Sequence, residues 1–452
     1  MKDVESRRSD SGHALPVVLR TPLADETGSW WEASGSGPHL FAFGLLLAGI
    51  ALVTANGLRI AGMVALGDIP FMLSGALILA VLVYCADYWR CIPSWFYLSG
   101  ALLLISGLLS TVVASDSMES GISFAKYFYA AYLLPLLIGF VVDRPAWLYR
   151  ALSVWVAFAS LNSLSGLLDL LGVTRFHQWM DVQTSFSYLS YPDRAFGLTT
   201  YPNHYGLICA MALPVSLALA ALASGWRRVV YALSFLSLAG GILASGSRAM
   251  LLASLVVAAI LVLWSKTLGR IYLGMGILTG AAFGMLFVLE PSMVSKVAMS
   301  WHRLTGSVSI GQSDILRVEI FKRSFHEIAG SPVLGNGFSS VRDAHNIFVQ
   351  VLQAGGLVAL AGMCLYVIGY ISTVMSLARG LVDERWSMIA KAIAASVFVW
   401  LVSGLVQNAI YDRYIYLPIG FTFSLLVIVH RYRILLPVPG LDEAGVLQAR
   451  LR

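Results

Sequence analysis

Apolar runs of about 17 residues or more, the minimum for a membrane-spanning helix, recur along the chain between residues 40 and 430. No other feature narrows the possible folds so far. A chain that is 58% hydrophobic and 12% charged cannot clothe a soluble domain of this size in polar side chains. The apolar–polar alternation of membrane β-barrel strands is absent from these runs. The expected fold is therefore all-α, a polytopic membrane protein.

Apolar length predicts twelve transmembrane helices, at about 40–56, 69–86, 95–113, 122–142, 146–171, 202–223, 228–244, 248–264, 271–289, 346–376, 389–410 and 414–430. An even number puts both termini on one side. Charge chooses that side. One set of short loops holds Arg90, Arg144, Arg150, Arg227, Arg228, Lys266, Arg270, Arg379, Arg385 and Lys391; the other holds Arg59, Lys126, Arg248 and Arg413. Loops rich in Lys and Arg stay in the cytoplasm, so both termini are expected there. Residues 1–38 are polar, lack the apolar run of a signal peptide and are read as a cytoplasmic tail. Residues 39–431 form the membrane domain and 432–452 a second cytoplasmic tail.

The net charge of +6 follows from this topology, and no basic patch interleaved with aromatics points to nucleic acid. Cys85, Cys91, Cys209 and Cys364 lie in or beside apolar segments without zinc-like spacing, so they are expected to pack rather than bind metal. Gly276, Gly280 and Gly284 share one helix face and predict a close approach between helix backbones.

Two outer segments are long, about 172–201 and 290–345. Within the second, SDILRVEIFKRSFHEIAG predicts an amphipathic helix. Ser313 is placed to cap it, Ile315, Leu316, Ile320, Phe321, Phe325 and Ile328 form its apolar face, and Pro332 and Gly335 end it.

Charge at the edge of a membrane needs an account, and four outer sites require one. Arg194 lies in YPDRAFGLTTYPNHYG, where two prolines and two glycines fix an irregular backbone of the kind that lines cavities. Its alternative is snorkelling to headgroups. Arg248, in ASGSRAM, sits in a very tight turn between apolar helices; its fork of donors suits phosphate, and its alternative is a turn that needs a polar residue. His345, in DAHNIFVQVLQAGGL, titrates near neutral pH and can accept a hydroxyl proton; its alternative is a cap or interface residue. Asp412 and Arg413 fill the last outer turn, where the simplest reading has each satisfying the other.

The ordered stretches DRAFGLTTYPNHYG (193–206), GILASGSRAMLLASL (241–255) and SPVLGNGF…AHNIFVQVLQAGGL (331–357) resemble the O-antigen ligase and O-antigen polymerase superfamily of bacterial inner-membrane proteins. The similarity covers about residues 190–430. It implies a membrane-embedded, GT-C-like glycosyltransferase that uses no metal or other cofactor. The implied donor is a glycan on undecaprenyl diphosphate at the periplasmic face. The ligase branch delivers it to lipid A–core oligosaccharide, and the polymerase branch to another lipid-linked glycan. By resemblance, Arg194 and Arg248 bind the diphosphate, and His345 deprotonates or positions the acceptor hydroxyl. Arg303 and Arg317 compete for the role of a further arginine in the large outer loop. Asp412 stands where the family often carries an acidic residue, and Arg413 and Asn346 join it as substrate-contacting candidates.

The chemistry is coherent without the resemblance. A diphosphate is a good leaving group that needs stabilisation of developing negative charge, which arginines supply. A transporter or flippase, the reading from another class, would predict inverted repeats and charged, broken helices at the midplane.

Overall fold

The computed structural model describes residues 37–60, 64–84, 86–174, 194–289, 312–339, 345–381, 383–407 and 410–432. The tails at 1–36 and 433–452 lie outside the described residues. So do 175–193 of the first long segment between apolar runs, and 290–311 and 340–344 of the second. The described chain is almost entirely helical, with one two-residue antiparallel ladder, Arg59–Ile60 against Val64–Ala65.

The helices are α1 (Gly37–Val53), α2 (Asp68–Tyr84), α3 (Ala86–Cys91), α4 (Ser94–Val113), α5 (Ser117–Phe128), α6 (Leu134–Val141), α7 (Pro145–Leu170), α8 (Pro202–Leu222), α9 (Gly225–Ala244), α10 (Arg248–Trp264), α11 (Lys266–Leu289), α12 (Gln312–Gly330), α13 (Ile347–Gly380), α14 (Glu384–Gly404) and α15 (Leu417–Tyr432). Among the described residues, eight helical spans are long and apolar enough to cross a membrane, and α1, α2 and α10 are shorter apolar helices. The chain thus has the build of an all-α, multi-pass membrane protein.

The centre of the bundle is α8. It is apolar on every side and buried over nearly its whole length, as expected of a helix surrounded by other helices. It packs on α7, α9 and α14. The outer helices keep large apolar side chains exposed, including Leu104, Ile105 and Leu108 on α4 and Leu273, Ile277 and Val288 on α11. Such side chains on the outside of a bundle suit lipid rather than water. Cys91 and Cys209 are buried, as packing residues should be, while Cys85 lies outside the described residues.

Several boundaries differ from the sequence expectation, each for a local reason. The span expected at 122–142 starts at Ser117, capped by Asp116, whose side chain accepts from Glu119 N at 2.8 Å. A π-turn at Tyr129–Leu133 divides it into α5 and α6. The helix expected at 346–376 runs Ile347–Gly380 and breaks at Gly356, where φ is +68° and ψ −164°. The helix expected at 389–410 starts at Glu384 and ends at Gly404. Ser313 lies inside the first turn of α12 rather than at its cap. On that helix Ile328 is buried against Val349, but Ile315, Phe321 and Phe325 are exposed, so the expected apolar face is only partly covered. The side chain of Leu316 lies outside the described residues. The glycine stripe of α11 is a further correction. A Cβ built at Gly276, Gly280 or Gly284 meets nothing within 4 Å among the described residues, so no close helix approach there depends on them.

Candidate functional site

The stretch 194–201 at the end of the first long segment is fastened on three sides. Buried Asn162 of α7 accepts from Leu198 N through Oδ1 (2.8 Å) and donates from Nδ2 to Thr54 O (2.8 Å). Gly57 N donates to Leu198 O at 3.0 Å, and Ala195 N to Ala244 O at 2.9 Å. Gly197, at φ +50°, is required here, because a Cβ would lie 2.5 Å from Asn162 Oδ1. Pro202 then starts α8, where its missing N–H costs no helical bond.

This backbone aims two side chains. The first is Arg194, which donates from Nε to Ser245 O and from a terminal nitrogen to Asn203 Oδ1, both at 2.7 Å. Ser245 belongs to the turn between α9 and α10, three residues before Arg248. The two arginines singled out in the sequence are therefore brought to one end of the bundle, with Arg248 exposed at the first residue of α10.

The second is His204, next to Asn203 on α8, which sequence reasoning passed over. Its Nδ1 lies 3.3 Å from Thr200 Oγ1 and 3.4 Å from Asn56 Nδ2. Its Nε2 lies 3.7 Å from Asp412 Oδ2. Asn56 Nδ2 also donates to Asp412 Oδ1 (3.3 Å), and Tyr414 OH to Asp412 Oδ2 (3.4 Å). Arg413 turns elsewhere, to Asp68 Oδ2 at 2.7 Å. The expected Asp412–Arg413 pairing is thus corrected: each has a partner far away in sequence. The signal that was available is a titratable side chain in the first turn of an otherwise apolar span.

The third motif is one interlocked unit. The break at Gly356 removes helical bonds of α13, and the SPVLGNGF loop replaces them. Asn336 N donates to Gln353 O (2.8 Å), Gly337 N to Ala354 O (3.0 Å), and Leu357 N to Pro332 O (2.9 Å). Irregular backbone inside a membrane domain survives only with such substitutes. Just before α13, His345 has φ +47°, an uncommon conformation for a residue with a side chain. Asn346 caps the helix by accepting from Phe348 N (2.9 Å) and Val349 N (3.1 Å), and its Nδ2 donates to Leu405 O (3.0 Å). Its amide is engaged at both ends by backbone. Tyr411 OH donates to Phe338 O at 2.9 Å, so the segment that carries Asp412 also holds this loop. Arg303 lies outside the described residues; Arg317 is on α12, with its side chain outside them.

The opposite end of the bundle has its own charges. Asp143 pairs with Arg431 and lies 3.6 Å from Arg144 Nε. Among the described residues no group of three His, Cys, Asp or Glu side chains is arranged to hold a metal ion. Compared with known proteins, the chain matches no family model and no curated sequence.

Proposed function

We propose that this chain is an O-antigen ligase-like glycosyltransferase, moving a glycan from undecaprenyl diphosphate to a lipid A–core acceptor at the periplasmic face of a bacterial inner membrane. On this reading the chain crosses the membrane twelve times with both termini in the cytoplasm. The observation that carries the reading is the fixed guanidinium of Arg194, bound to the turn that leads into Arg248. Two forked donors on rigid backbone suit a diphosphate, whose charge grows as the glycosyl bond breaks. His345 supplies the acceptor-binding or proton-accepting group.

The break in α13 is a feature a carrier would share. Here the freed backbone groups are bound by a loop of the same chain, which favours a rigid site over a moving one.

Deleting the gene tests the reading. Loss of every long chain from an intact lipopolysaccharide core, with lipid-linked polymer accumulating, is the ligase outcome. Core bearing a single repeat unit makes the protein a polymerase. Unchanged lipopolysaccharide overturns both. Transfer by purified protein in nanodiscs separates an enzyme from a transporter.

A further inference from the structure

We propose that His204, oriented by Asp412, is the group that takes the proton from the acceptor hydroxyl, leaving His345 to position the acceptor. This rests on the transfer reading above. It starts from hydrogen-bond logic. An ionised carboxylate only accepts, so the Asn56 atom 3.3 Å from Asp412 Oδ1 is the amide nitrogen. The same nitrogen lies 3.4 Å from His204 Nδ1. An amide N–H has no lone pair to offer, so Nδ1 is an acceptor and the ring proton sits on Nε2. That nitrogen faces Asp412 Oδ2 at 3.7 Å. In the neutral ring this puts the lone pair on Nδ1, between Asn56 Nδ2 and Thr200 Oγ1, so an acceptor hydroxyl reaches it by taking the place of the Thr200 contact.

Thr200 Oγ1, 3.3 Å from Nδ1, stands where an acceptor hydroxyl would stand. These separations are long, as catalytic contacts often are before substrate arrives. The side chains of His204 and Asp412 remain partly accessible, at 20% and 16%. Tyr201 and Tyr414 flank the ring, with centroids at 5.5 and 6.5 Å. Among the described residues, Arg413 is paired with Asp68, Arg194 is bound to Asn203, the residue before His204, and Arg59 donates from Nε to Asn56 O at 3.5 Å. The first turn of α8 therefore fixes the diphosphate-binding arginine and the proton acceptor through adjacent residues.

The step balances. The acceptor O–H bond breaks and its proton passes to Nδ1. The oxygen forms a bond to the anomeric carbon. The bond from that carbon to the diphosphate oxygen breaks, and its electron pair leaves on the diphosphate. Asp412 stabilises the imidazolium until the proton is released to water.

The experiment uses the full chain in nanodiscs, with undecaprenyl-diphosphate-linked oligosaccharide as donor and lipid A–core as acceptor. His204→Gln is expected to lower kcat by roughly 10²–10⁴-fold, the usual contribution of a general base, with donor affinity retained. His204→Ala is expected to regain turnover when imidazole is added, which a structural role would not produce. Asp412→Asn supplies a spectroscopic readout. Without a carboxylate to hold its nitrogen, the Asn56 amide is free to turn its oxygen toward Nδ1, and the new amide nitrogen at 412 donates to Nε2, so the ring proton moves to Nδ1. Nitrogen-15 spectra of histidine-labelled protein, assigned by the signal lost in His204→Gln, report that tautomer change independently of turnover. Wild-type turnover in His204→Gln, or an Nδ1–H tautomer in the unaltered protein, overturns the assignment. A wild-type protein that transfers nothing overturns the transfer reading itself, and this assignment with it.

Discussion

Arg413 lies 2.7 Å from Asp68, a carboxylate only 2% exposed at the start of α2, and so ties the turn before α15 to the beginning of the second helix. Removing one partner of a buried ion pair leaves an uncompensated charge and costs about 3–5 kcal/mol. Arg413→Ala is therefore expected to lower the thermal stability of the purified protein sharply. Replacing both partners, Asp68→Leu with Arg413→Leu, is expected to recover much of the loss. If Arg413→Ala melts like the wild type but binds donor poorly, Arg413 belongs to the substrate and not to the fold.

The glycines of α13 and α11 differ in what surrounds them. A Cβ at Gly356 would lie 2.1 Å from Val333 O, at a φ of +68°. Gly356→Ala is expected to destabilise by about 1–3 kcal/mol, the usual range for a forced backbone conformation. Gly280→Ala meets open space and is expected to be neutral or to stabilise by up to about 1 kcal/mol through helix propensity. Equal melting temperatures for the two variants would show that the α13 break does not depend on Gly356.

His345 is expected to matter for activity rather than for folding. It precedes the cap residue Asn346, whose side chain accepts from Phe348 N and Val349 N and donates to Leu405 O at the start of α13. His345→Ala should leave insertion and melting close to wild type and nearly abolish transfer. A purified variant that transfers glycan at the wild-type rate removes His345 from the acceptor site.

Helices were legible because hydropathy records membrane length directly, and α8 and α10 begin where the sequence placed them. The π-turn at 129–133 and the break at Gly356 leave no mark on hydropathy, because neither changes how apolar its segment is. At Gly356 the freed bonds go to a loop that hydropathy cannot pair with it. Arg194 and Arg248 stood out as charges beside apolar runs. The partners of Asp412 did not, because adjacency suggested Arg413 while the 3-10 turn at Arg413–Tyr416 sends the two side chains to different helices. His204 escaped notice for the same reason. Its meaning comes from Asn56, 148 residues away, and from Asp412 near the other end of the membrane domain.

At Arg194, geometry and charge make different demands. Its guanidinium donates in two directions, to Ser245 O and Asn203 Oδ1. Lysine keeps the charge but concentrates it on one nitrogen, so it cannot reproduce the planar fork. Arg194→Lys is therefore expected to remain impaired in donor binding and turnover. Arg194→Ala should be worse, losing a charge-assisted contact worth about 1.5–3 kcal/mol, or roughly ten- to a hundredfold in affinity. Asn203→Ala, which removes one support while keeping the arginine, should fall between wild type and Arg194→Ala. A snorkelling arginine behaves otherwise, because lysine reaches headgroups equally well from an apolar stem. The measurement is donor affinity and turnover for all three variants in nanodiscs. Full activity in Arg194→Lys makes this residue a membrane anchor, and the diphosphate clamp then has to be sought at Arg248 alone.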